Sequence, residues 1–228
     1  MATLEALRRS VGRKTGMDYS VAGDDRNLID SWLNEGAREV LVRTQCYVAT
    51  STISTTASTW QYDLSYAIMA IRLIWRDGET DAMVRVSPDE IIELRRANSA
   101  SSDSTTLRWA LVGTNQFLLH PTPTSVYTIN LVYVPRPTEM ASNEHDPSSA
   151  TYGGIPVEYH KAIELWALSN ASDHEHEGRT QSGQKYLVEF EAYIARIKAA
   201  LNRKGGRLPV ARVGRARRPI TDNGVYPR

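Results

Sequence analysis

A chain of 228 residues, 41% apolar and 23% charged, can bury a sizeable core and has the balance of an ordinary soluble globular protein. Cys46 is its single cysteine, which excludes an intrachain disulfide and a cysteine-based zinc site. No stretch approaches the roughly 18 apolar residues a membrane span needs, and Met1–Arg13 lacks the apolar centre of a signal peptide, so a soluble protein made in a reducing cytoplasm is expected.

The net charge of +1 hides an asymmetry. From residue 203 onward Arg203, Lys204, Arg207, Arg212, Arg215, Arg217, Arg218 and Arg228 stand against Asp222 alone, which makes the tail +7 and the rest of the chain −6. An acidic body with a basic arm points to an acidic partner, protein or nucleic acid, with a solvated terminus as the plainer reading.

Along the chain, residues 3–15 form a short first helix, with Thr3 as cap and Leu4, Leu7 and Val11 as its apolar stripe. A second helix spans 24–45. Asp24 and Asp25 supply its N-cap and first-turn negative charge, and Leu28, Ile29, Trp32, Leu33, Ala37, Val40 and Leu41 recur at steps of three and four. Glu39 and Arg43 stand four apart and can pair.

Over 47–137 the period shortens to two. Trp60, Tyr62 and Leu64 alternate, as do Met69, Ile71, Leu73 and Trp75. Asp77-Gly78 reads as the tight turn of a hairpin returning through Met83, Val84 and Val86. A second hairpin runs from Leu107, Trp109 and Leu111 through Gly113–Asn115 to Phe117 and Leu119. Val126–Val134 is apolar on both faces and reads as an inner strand of a sheet or small sandwich.

One helix interrupts the strands. Ser87-Pro88-Asp89-Glu90 is a full start signal, with a cap, a proline at the first helical position and a box glutamate, for a helix over 87–98. Residues 99–106 read as a flexible loop. Residues 135–155, with three prolines and Gly153-Gly154, form a long connection of the kind that serves as a docking surface or hinge.

Helix then returns. Pro156 opens a segment to 176 in which Tyr159, Ile163, Trp166, Ala167 and Asn170 share a face, and Gly178 breaks it. Ser182 caps a last helix to 203 carrying Tyr186, Leu187, Phe190, Tyr193, Ile194, Ile197 and Leu201, and Gly205-Gly206 stops it. The expected fold is α+β: an antiparallel helical bundle (1–46 and 156–203), a β-rich insertion (47–155) and an extended basic C-terminal arm (204–228).

Few residues fall in patterns that carry chemistry. In Asp173-His174-Glu175-His176-Glu177, a helix points His174 and His176 about 200° apart, so they cannot chelate one ion. Neither a phosphate-binding loop nor a nucleophile elbow occurs, and Cys46 has no histidine signature. The expectation is no enzyme, no cofactor and no metal.

The order of patterned segments carries a resemblance. Leu-Ile-x-x-Trp-Leu-Asn-Glu-Gly-Ala-Arg-Glu-Val over 28–40 comes first. Phe117-Leu-Leu-His-Pro-Thr-Pro, then Tyr-Thr-Ile-Asn-Leu-Val-Tyr-Val-Pro-Arg-Pro over 127–137, follow. Ile155-Pro-Val-Glu-Tyr-His-Lys-Ala-Ile and Gly183-Gln-Lys-Tyr-Leu-Val-Glu-Phe-Glu close the series. Over about 24–203 this resembles the head-to-tail adaptor (connector) proteins of tailed bacteriophages, the group that includes podophage tail tubular protein A and the siphophage adaptors. The resemblance implies a virion protein of the neck, assembled as a ring of twelve copies beneath the portal protein. Genomic DNA would pass through its channel without sequence-specific contact, and the next tail component would attach to it. It also implies that Arg203, Lys204, Arg207, Arg212, Arg215, Arg217 and Arg218 form a portal-docking arm. The alternative is a nucleic-acid-binding module using the same arm, which would hold phosphates without sequence preference and lose affinity steeply with salt.

Overall fold

The computed structural model describes residues 3–79, 81–97, 107–174 and 181–204. Helix α1 (Leu4–Thr15) starts where Thr3 accepts the Ala6 N–H through its side chain. Helix α2 (Asp24–Thr44) departs from expectation at its cap, because Gly23 occupies that position and makes no side-chain cap bond. Asp24 and Asp25 lie inside the first turn, where their charge suits the positive end of the helix dipole, and Asp25 also receives the Asp18 N–H at 3.0 Å.

Among the described residues seven strands make two facing sheets. β1 (Ala49–Ser54), β7 (Thr128–Pro135) and β3 (Ile68–Arg76) form one in the order β1-β7-β3, antiparallel throughout. β2 (Gln61–Asp63), β6 (Gln116–His120), β5 (Arg108–Val112) and β4 (Val84–Arg85) form the other in the order β2-β6-β5-β4. Between them lie Ile53, Ile68, Ile74, Met83, Leu107, Trp109, Phe117, Leu119, Ile129, Leu131 and Tyr133, so period-two alternation has produced a small sandwich. The outer face of the second sheet is covered by α3 (Pro88–Ala97), whose Ile91 packs on Ala110 and Leu118. Ser87 caps that helix by accepting the Glu90 N–H at 3.1 Å.

Two strand expectations need correction. The Asp77-Gly78 turn is present, but the returning chain meets β3 only through the Trp75–Ala82 bridge and the Met83 N–H to Ile74 O bond. Met83 then enters the apolar space between the sheets, and β4 pairs parallel to β5 in the other sheet. Val126, expected on a buried face, is 69% exposed, because β7 begins only at Thr128. Within β7 the inner-strand reading holds. Ile129, Leu131 and Tyr133 face the sandwich, while Val134 joins the helical core together with Met69 and Ala70 of β3.

That helical core gathers α1, α2, α4 (His160–His174) and α5 (Gln181–Lys204). Buried residues surround α4 on nearly every side, with Ala162, Ile163, Leu165, Ala167, Leu168 and Ala171 all in the core. It packs tightly on α2, where a Cβ on Gly36 would sit 3.0 Å from Ile163 O and 3.2 Å from Trp166 Cβ. Phe190, Ile194 and Ile197 bring α5 onto the same core, and Arg43 of α2 lies over the Phe190 ring while pairing with Glu39 and Glu191. Ser182 lies inside the first turn of α5 rather than before it. The breaks expected at Gly178 and at Gly205-Gly206, and the loop at 99–106, lie outside the described residues.

Candidate assembly interface

Three polar clusters tie the elements together. Arg8, only 1% exposed, forks onto Asp30 (2.6 Å from Nη2 to Oδ2) and also donates to Asn143 Oδ1 and Ala141 O. Arg26 reaches the same Asn143 oxygen at 2.9 Å, and Asn34 brackets the Met140 backbone with bonds of 2.7 and 3.0 Å. The connection after β7 is thereby fastened along α1 and α2, with the Leu4 and Glu5 N–H groups donating to His145 O and Asn143 O. A groove of about 600 Å³ runs beside it, lined by Arg26, Asp30, Asn34, Glu35, Arg38 and Glu139 among others.

The second cluster is Glu164 of α4, which receives Lys14, Ser10 (2.6 Å) and Lys161 (3.0 Å). Burial works to raise its carboxyl pKa, but the bonds from Lys14, Ser10 and Lys161 outweigh it and hold the group below the ordinary carboxylate range. The third lies under α3, where Arg108 pairs with Glu90 at 3.2 Å and Arg95 lies over Trp60. Burial, followed by the charges of Arg108 and Arg95, pushes His120 down in pKa.

These clusters join structural elements and do not converge on one common cleft. Cys46 is half-buried, and burial pushes its thiol up, away from the reactive thiolate. Among the described residues no group of three or more His, Cys, Asp and Glu is placed to hold a metal ion, and no helix is long and apolar enough to cross a membrane. His174 is the last residue of α4, and His176 lies outside the described residues.

Of the arm residues, Arg203 stands exposed on the last turn of α5 and Lys204 ends that helix. Arg207, Arg212, Arg215, Arg217 and Arg218 lie outside the described residues. A feature that the residue pattern left unmarked is the side of β1 that has no strand partner among the described residues. This strand closes one edge of its sheet with six residues in unbroken register against β7, and it carries neither charge nor proline. The available signal is compositional, since no charged residue occurs between Arg43 and Asp63.

The SU10 adaptor protein family model matches residues 2–217, nearly the whole chain. The chain belongs to the SU10 adaptor protein family. None of the curated proteins matches it significantly. Membership makes it a structural adaptor of a phage virion, in a family that is not one of enzymes. The resemblance read from residues 24–203 is therefore correct at the level of the family, and the α+β fold accompanies it.

Proposed function

We propose that this adaptor assembles as a ring of twelve copies in the neck of the virion, docked on the portal protein and presenting a surface for the next tail component. Genomic DNA passes through the ring without sequence-specific contact. The helices, as bundle 1–46 and 156–203, form the body of the ring. The insertion 47–155 faces the tail, and the arm 204–228 reaches the portal through Arg203, Lys204, Arg207, Arg212, Arg215, Arg217 and Arg218. The observation that carries this reading is the family match over residues 2–217. The concentration of basic residues after position 203 supports the role given to the arm.

The test is to mix the purified protein with its portal and image the product. Rings stacked on the portal are expected, and a protein that remains monomeric in the presence of portal overturns the proposal. Deleting 204–228 separates the arm's two readings. Loss of portal docking supports the adaptor arm. Docking that survives while retention of DNA at low salt is lost favours a nucleic-acid-binding arm.

A further inference from the structure

The sandwich is sealed on one side and open on the other. On the sealed side the chain passes between the sheets, with Met83 N–H donating to Ile74 O and Val84 N–H to Leu107 O. On the open side β1 and β2 are both edge strands, and a groove of about 390 Å³ lies between them. Just beyond β1, Thr55 N–H donates to Tyr127 O. By the alternation of an antiparallel ladder, residues 49, 51 and 53 then point their backbone groups at β7. The N–H and C=O groups of Thr50, Thr52 and Ser54 therefore point away from the sheet, and none of them has a backbone partner among the described residues.

Unguarded edges are unusual, because charges, prolines or bulges normally prevent unwanted pairing. β3, at the other edge of the same sheet, is irregular in register and partly covered by Ala82 and Met83. β1 has none of these defences, and Thr50, Thr52 and Ser54 are exposed. An edge in unbroken register and without charge is suited to being paired in the assembled state.

We infer that the free edge of β1 receives, as an added strand, residues 207–213 from the arm of a neighbouring copy of this chain. Three observations select that occupant. Asp63 is the only charged side chain lining the groove, so a basic strand is complementary and an acidic one is not. Arg207-Leu-Pro-Val-Ala-Arg-Val213 supplies two arginines together with Leu208, Val210 and Val213, and Pro209 is tolerated where its missing N–H faces outward. The 24 residues of 205–228 span up to about 80 Å when extended, against a body roughly 40 Å across. Donating a strand from one copy to an edge on the next is a heterologous contact, the kind that closes rings, and the inference rests on the ring proposed above. In that arrangement Arg207 and Arg212 serve the neighbouring copy, and Arg203, Lys204, Arg215, Arg217 and Arg218 remain for the portal.

The experiment uses the full chain with Cys46 replaced by serine. One preparation carries Thr52→Cys and each of three others carries Leu208→Cys, Val210→Cys or Arg212→Cys, and the first is mixed with each of these and portal under mild oxidation. Disulfide-linked pairs of Thr52→Cys with at least one of the three are expected on a denaturing gel, with controls pairing Val84→Cys with Val210→Cys at least tenfold weaker. Thr52→Lys, an exposed change, should leave the melting temperature within about 1 °C while reducing ring assembly at least tenfold, and Thr52→Glu should preserve assembly. Rings that form on the portal without links from position 52 to any of positions 208, 210 or 212 overturn the strand donation and leave the adaptor reading standing. Rings unaffected by Thr52→Lys do the same, whereas failure of the unmodified protein to form rings overturns both.

Discussion

The helical core and the sandwich are held by different means. Among the helices, two buried charged groups do much of the specifying: Arg8 on Asp30, and Glu164, which receives Ser10 and the part-exposed Lys14 and Lys161. Inside the sandwich the interior is almost wholly apolar, and geometry comes from strand alternation and turns. A buried ion pair adds little net stability over an apolar substitute, yet breaking it from one side is costly. The helical core should therefore be brittle toward single charge deletions, and the sandwich toward loss of volume.

The comparison is tested most severely at Arg8. Replacing it with alanine leaves the Asp30 carboxylate beside a buried gap without its partner, for an expected loss of about 3–5 kcal/mol. Arg8→Lys should rescue little, because an ammonium cannot fork onto the carboxylate and the Asn143 amide oxygen together. Chemical denaturation of the three proteins measures both effects, and a lysine variant equal to wild type would show that charge alone matters there. The counterpart in the sandwich is Phe117, fully buried against Trp109. Phe117→Ala should cost about 3–4 kcal/mol. Hydrogen exchange should then rise in β5 and β6 before it rises in α4. Equal acceleration in both regions would mean that the two cores melt as one unit.

What could be read from the residues follows the same division. Amphipathic helices and the Trp109–Phe117 hairpin announce themselves because their signals are local: a period, a cap, a glycine turn. The contacts joining the 139–146 connection to α1 and α2 do not, since Asn34 meets Met140 across 106 positions and Arg8 meets Asn143 across 135. A loop that the prolines and glycines mark as a docking surface or hinge is fastened along the helices by side chains whose partners lie far away in sequence. The Asp77-Gly78 turn misleads for a related reason. The turn signal is local, but the sheet joined by the returning strand is decided by where Met83 finds apolar cover. For the interface, composition reveals the basic arm, whereas the open edge of β1 is apparent only once the strand order is known.

Gly36→Ala sharpens the contrast at intermediate cost. Its added methyl would press on the Ile163 carbonyl and the Trp166 side chain, so α2 and α4 must part by a few tenths of an ångström, for about 1–3 kcal/mol. Pairing it with Trp166→Leu in a double-mutant cycle should recover part of the loss, because the indole is one of the two obstructions. Strict additivity would place the obstruction at the Ile163 backbone instead.

Ser87→Ala removes the cap from α3 and should cost about 1 kcal/mol, with Ser87→Asp close to wild type. Because α3 only roofs the second sheet, the change should leave the acid sensitivity of the helices untouched, and Glu164 supplies that sensitivity. Its folded pKa lies below the ordinary carboxylate value, so the unfolded chain binds the proton first as pH falls. The stabilisation is complete above about pH 4.5 and is lost as pH drops through the folded value. Glu164→Gln should accordingly be less stable than wild type at pH 7, with the difference shrinking toward pH 3, while Ser87→Ala shows a constant offset across the same range. A gap between the Glu164→Gln and wild-type curves that stays constant down to pH 3 would remove Glu164 as the acid-sensitive link between α1 and α4.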